Sequence, residues 1–134
     1  MQDFKELKVW QKAHQLALDA YQMTSRFPRE EMFGLTSQIR RAAVSIAANI
    51  AEGRSRGGDG DFKRFLQIAQ GSAAELDYEL LLARELHYIT PEQHAGIQSQ
   101  VEEVRRMLNR FIQTLAAPNS SGAQERSQRP MANG

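Results

Sequence analysis

Apolar side chains return every three or four positions along residues 35–53, where Leu35, Ile39, Ala42, Ala43, Ile46 and Ile50 fall on one stripe of a helix. The rest of this cylinder is not a solvated face. Val44, Ala47, Ala48 and Ala51 cover a second side, and Gln38, Arg41, Ser45, Asn49 and Glu52 are confined to a narrow polar strip between the two. A helix that is apolar on two sides is buried on two sides. In a chain this short, the second side is expected to meet another copy. The helix is predicted over about residues 31–52, with Glu30 and Glu31 at the positive end of its dipole and Gly53 as its C-terminal cap.

Three further helical patterns flank it, and no segment reads as a strand. The first runs over about residues 3–26, with Leu7, Trp10, His14, Ala17, Leu18 and Tyr21 as its core face, and Pro28 marks its end. After the Gly-rich stretch 53–60, Asp59 or Asp61 is the expected N-cap of a helix over about 61–88. Its core stripe is Phe62, Phe65, Leu66, Ala69, Ala73, Leu76, Leu80 and Ala83. Gly71 interrupts that stripe's helix and reads as a close helix–helix contact, with a plain surface glycine as the alternative. Thr90, Pro91 and Gln93 spell a capping box with proline at the first helical position. The helix that follows carries Ile97, Val101, Val104, Leu108, Phe111, Ile112 and Leu115 inward. Four such helices with short connections predict an all-α, antiparallel up-down-up-down four-helix bundle over residues 1–117. Residues 118–134 are polar and are expected to form a disordered tail.

Composition narrows the chemistry. The 134 residues contain no cysteine, which removes disulfides, thiolate nucleophiles and Cys-based metal sites and suits a reducing cytoplasm. No stretch approaches the roughly 20 apolar residues of a membrane span. The net charge of +1 is neutral in effect, yet Arg40, Arg41, Arg54, Arg56, Lys63 and Arg64 cluster within 40–64 against only Glu52, Asp59 and Asp61. These six are the candidate contacts for nucleic-acid phosphate, each weak alone and additive if an oligomer repeats them.

Gln38, Ser45, Ala47, Asn49, Glu52 and Glu75 are the candidate seam or oligomer-interface residues. The favoured role of the polar seam is a hydrogen-bond network that fixes register, with partner recognition as the alternative. The Gly-rich loop with Arg54 and Arg56 lacks the strand and the Gly-Lys-Ser/Thr ending of a Walker loop, so a flexible connection is the favoured reading. The chain has no Glu-x-x-His pair of the kind that builds bundle metal sites. His14, on the stripe beside Trp10, is expected to be packed and hydrogen-bonded. Glu75 and Glu79, one turn apart, are expected on a wet face. No catalytic, metal or cofactor site is expected, and the chain reads as a non-enzyme.

A set of residues then stands in order: Phe4, Leu7, Val9-Trp10, Phe27-Pro28, Glu31, Gly34-Leu35, Gln38-Ile39-Arg40-Arg41-Ala42 and Ser45-Ile46-Ala47, with Asn49-Ile50-Ala51-Glu52-Gly53 following. Tyr21, between Trp10 and Phe27, belongs to the set, and Phe62, Phe65-Leu66, Ala69, Gly71-Ser72 and Glu75-Leu76 complete it. Over about residues 3–115 this resembles the bacterial proteins named after reading frames in 23S rRNA intervening sequences. It is more distantly similar to the accessory variability proteins of diversity-generating retroelements. The resemblance implies a four-helix protomer in a ring-like homopentamer with no established catalysis. For the retroelement relatives it implies binding to nucleic acid and to a reverse transcriptase. The expected function is therefore a cytoplasmic, homo-oligomeric accessory or adaptor, self-associated and in contact with RNA or DNA. The alternative is a scaffold that binds only a protein partner.

Overall fold

Leu7 is held extended, between a single 3-10 turn at Phe4–Glu6 and the first long helix, α1, Lys8–Thr24. The remaining elements are α2, Leu35–Ser55, α3, Asp59–Glu85, and α4, Pro91–Ala116. A second 3-10 turn at Arg29–Glu31 leads into α2. The structure is a computed structural model that describes residues 3–116, and among these no strand occurs. The tail expectation for 118–134 lies outside the described residues. Each helix packs on its neighbours in sequence, and α1 also packs on α4; α1 and α3, and α2 and α4, make no close backbone approach. The four helices therefore enclose one core, filled by Leu16, Ile39, Ile46, Ile50, Leu66, Leu76, Leu80, Val101, Val104 and Leu108.

The predicted core stripes of the second, third and fourth helices are the buried ones, save that Phe111, Ile112 and Leu115 are only half-buried. The first helix is a correction. Its core face is Val9, Ala13, Leu16, Ala17, Ala20 and Thr24. Trp10 is half-buried, and His14, Leu18 and Tyr21 are exposed. This helix also carries two apolar stripes. The one with alanines at three turns lets α1 sit close to its neighbours, and the bulky aromatic stripe is left on the flank.

Helix termini differ from expectation in instructive ways. The α2 helix starts at Leu35, and Glu31 reaches over from the preceding turn so that Oε1 accepts the Leu35 N–H at 3.0 Å. The same carboxylate accepts the Tyr88 hydroxyl at 2.8 Å, tying the start of α2 to the α3–α4 connection. These two bonds, Leu35 first, hold the Glu31 carboxyl below its ordinary range, and the tyrosine's bond to Glu31 raises the Tyr88 phenol. Gly53 is not a cap. It lies inside α2, buried, where an added Cβ would stand 2.6 Å from Phe65 Cβ, so its lack of a side chain is what lets α3 approach. Gly71, by contrast, is exposed with open space where its Cβ would go.

Gly57, with φ 89°, makes the turn between α2 and α3, a conformation glycine adopts at no steric cost. The N-cap of α3 is Gly58, with Asp59 and Asp61 both within the first turn near the helix's positive end. The α3 helix ends in a Schellman pattern, with the Tyr88 N–H on the Ala83 carbonyl and the His87 N–H on that of Arg84, both at 2.9 Å. The capping box is present as predicted: the Gln93 N–H donates to Thr90 Oγ1 at 3.0 Å, and the Thr90 N–H to Gln93 Oε1 at 2.9 Å.

Candidate functional site

Three surfaces meet on α2. On the α1 side, the aromatic stripe left outside the core lines a groove of about 360 Å³. Trp10, His14, Ala17, Leu18 and Tyr21 face Val44, Ala47, Ala48 and Ala51 across it, and none of these is a carboxylate. His14 is not the packed, hydrogen-bonded histidine expected. It is exposed and lies flat on the Trp10 ring, with centroids 4.8 Å apart and planes at 7°. Phe4 braces the indole edge-on, with centroids 5.1 Å apart. Leu18 stays 50% exposed and Val44 43%. Ala47 is largely covered by its own protomer, whereas Ala48 is exposed on the groove's outer rim.

On the α3 side lies the polar seam. Asn49 Nδ2 donates to the Ser45 carbonyl at 2.8 Å and to Ser45 Oγ at 3.0 Å. Ser45 Oγ also shares a hydrogen bond with Ser72 Oγ, 2.8 Å away on α3, in which either hydroxyl can donate. This chain of bonds ties Ser45 on α2 to Ser72 on α3. Further along, Gln38, Arg41 and Glu75 line an open cavity of about 580 Å³ together with Ser45, Ser72 and the fully projecting Phe33. Glu52 leaves the seam to bind Arg56, whose Nη2 is 2.9 Å from its carboxylate.

The six basic candidates do not form one patch. Arg40 is held by the bundle: Nε donates to Thr24 Oγ1 at 2.8 Å, and the guanidinium covers the Tyr21 ring at 4.5 Å. Arg41 points to the seam. Both stand about 20 Å along the helix from Arg54 and Arg56, at 1.5 Å per residue. The other four gather at the α2–α3 turn. Arg54 lies over Phe62, and Arg56 and Arg64 both lie over Phe65, at 5.5, 5.1 and 4.6 Å. Lys63 is next to them in sequence. Glu52 pairs with Arg56 and Asp61 with Arg64, and with Asp59 also at this turn the local balance is only slightly positive. Because Phe62 and Phe65 are buried beneath the guanidiniums, they offer no face for a base to stack on. What this turn presents to a ligand is therefore charge and hydrogen-bond donors, suited to phosphate rather than to bases.

Sequence reasoning missed three side chains that each carry a buried polar atom without a partner among the described residues. Glu79 is only 4% exposed rather than on a wet face, and its Oε1 has no hydrogen-bond partner among the described residues. Burial first, and the charge of Glu75 second, push its carboxyl up to about 7. His94, buried in α4, and Gln70, half-buried in α3, likewise each have an atom without a partner. The helical position of Glu79, beside the core residues Leu76, Leu80 and Ala83, was the available signal. No group of three or more His, Asp or Glu among the described residues is placed to hold a metal ion, and no helix there is long and apolar enough to cross a membrane.

A ring of four helices with an apolar flank, a polar seam and an arginine-bearing turn is the surface of an all-α, four-helix protein. The family model of the 23S rRNA-intervening sequence protein matches residues 5–110. The chain belongs to that family. Among solved structures it is similar to a Bacteroides thetaiotaomicron protein of unknown function from the S23 ribosomal protein family, at 31% identity and TM-score 0.70. That match covers 78% of this chain and 97% of the other. No curated protein matches it.

Proposed function

We propose that this chain is a non-enzymatic, self-assembling accessory protein of the cytoplasm, an antiparallel up-down-up-down bundle whose copies form a ring and present the α2–α3 turns to nucleic-acid phosphate. The observation that carries the reading is the α1/α2 groove, where His14, Leu18, Tyr21, Val44 and Ala48 are exposed in the protomer, an apolar face that a second copy would cover. The pairs Ser45–Ser72 and Gly53–Phe65 run in opposite order along α2 and α3, which supports the antiparallel arrangement. A ring of five follows the resemblance of the sequence. In such a ring the small cationic excess of each turn is repeated, and several weak phosphate contacts act together.

The test is size-exclusion chromatography with light scattering and a 260/280 absorbance ratio, at low and at high salt. The reading expects an oligomer that retains RNA or DNA at low salt and sheds it as salt releases the phosphate contacts. Replacing Arg54, Arg56, Lys63 and Arg64 with Ser is expected to abolish retention and leave the oligomer intact. The pairing of Glu52 with Arg56 and of Asp61 with Arg64 favours a second reading, a scaffold for a protein partner with no nucleic-acid role. An oligomer free of nucleic acid at both salts decides for that second reading.

A further inference from the structure

The open cavity of about 580 Å³ at the polar seam is lined by groups that the protomer itself leaves unused. Phe33, just before α2, is 95% exposed, the barest large apolar side chain among the described residues. Arg41 and Glu75 line the same cavity with opposite charges. Among the described residues neither makes a hydrogen bond or an ion pair, with the other or elsewhere. Gln38 is likewise unbonded, one turn before Arg41 and on the same face of α2. The Ser45 and Ser72 hydroxyls, by contrast, satisfy each other. A cavity of this size is within the range of sites for small ligands and single residues of a polymer. It offers one aromatic face, one fork of donors and one pair of acceptor oxygens.

We propose that this cavity is a subsite for one unstacked guanine of a single-stranded nucleic acid. The proposal rests on the nucleic-acid reading above and adds a base contact to its phosphate contacts. Phe33 supplies the stacking face that Phe62 and Phe65, buried beneath their arginines, do not. Guanine is the base whose two edges match the two charges. Its O6 and N7 accept from the fork of a guanidinium, the role of Arg41. Its N1–H and N2–H₂ lie side by side and donate to both oxygens of a carboxylate, the role of Glu75. Adenine and cytosine offer a carboxylate one amino group, and uracil one imide N–H, so each leaves an oxygen of Glu75 unmatched. Gln38, with both a donor and an acceptor, serves whichever edge lies beside it. The cavity is about 20 Å along α2 from Arg54 and Arg56, so one short strand reaches both.

Fluorescence anisotropy of the full-length protein with labelled hexanucleotides tests this. Each is oligouridine with a single central guanosine, adenosine, cytidine or uridine, and a deoxy series with thymidine in place of uridine is run beside it. The guanosine hexamer is expected to bind about tenfold more tightly than the other three. That ratio is expected to hold between low and high salt, since base contacts release no counterions. Glu75→Gln keeps the shape of the side chain but not its second acceptor, and is expected to erase the preference. Phe33→Ala is expected to weaken the guanosine hexamer about tenfold. A preference in either series supports the proposal, and the series with the larger ratio names the strand as RNA or DNA. Four hexamers bound alike, or a preference that survives Glu75→Gln, overturns it. Equal binding that falls steeply with salt overturns the guanine subsite while the phosphate reading stands, whereas no binding of any hexamer at low salt overturns both.

Discussion

The α2 and α4 helices are built from the same core chemistry, yet they solve opposite problems. The outer side of α4 is Glu92, Gln93, Ser99, Glu102, Arg106, Asn109 and Arg110, all exposed and all polar. That helix is amphipathic in the ordinary sense, begins with its own capping box and needs its neighbours only along one stripe. The α2 helix has no side-chain cap of its own. Its first N–H, that of Leu35, borrows the Glu31 carboxylate, a glycine at position 53 makes room for α3, and alanines rather than charges face outward at its flank. One helix is specified locally; the other is specified by what packs on it from each side.

The largest effect separating them is expected on assembly. Ala48→Glu on the α2 flank is expected to weaken self-association by at least tenfold, and Ser99→Glu on α4 to leave it unchanged, by concentration-dependent light scattering. Equal effects would erase the distinction. Next come two matched glycines. Gly53→Ala forces a methyl into Phe65 and is expected to cost about 1–3 kcal/mol in chemical denaturation. Gly96→Ala on α4, where the Cβ meets nothing, is expected to gain about 0.5–1 kcal/mol.

The smallest effects are those of the caps. Thr90→Ala is expected to cost about 1 kcal/mol with little pH dependence, since both its partners are neutral. The start of α2 behaves differently. With its folded pKa below the ordinary carboxylate value, Glu31 contributes stability that is present above that range and lost as pH falls through the lowered value. Glu31→Gln is therefore expected to lower the melting temperature at neutral pH and to flatten its acid dependence, which melting curves at several pH values would read.

This division also explains what the amino-acid pattern revealed. The α4 cap and every core stripe beyond α1 were legible because their signals are local: an apolar period, a Thr90-Pro91-x-Gln93 tetrad. The face of α1 was not, because Trp10, Leu18 and Tyr21 and the smaller Val9, Ala13, Leu16 and Ala20 both satisfy the helical period. Only the closeness of α1's neighbours decides between them. Gly53 is a close contact rather than the expected cap, and Gly71 is the surface glycine that was its alternative reading, since a glycine's use depends on what lies opposite it. The second apolar side of α2 was visible in the pattern, but that Trp10, Leu18 and Tyr21 of α1 form the other wall of the groove was not. The six basic candidates lie within one 25-residue stretch and fell into two groups because one continuous α2 helix separates Arg40 and Arg41 from Arg54 and Arg56.

The buried carboxyl of Glu79 makes the native protein a holder of one proton near neutrality. With its folded pKa raised to about 7, the native chain keeps that proton over a range in which the unfolded chain has released it. The resulting stability is complete below the ordinary carboxylate value and declines as pH climbs through 7, a span on the order of 1–3 kcal/mol. Protons are in this sense a ligand of the fold. Unfolding at pH 6 is then expected to discharge part of a proton into the buffer, so the calorimetric enthalpy shifts with the buffer's own heat of ionisation, and Glu79→Gln abolishes that shift.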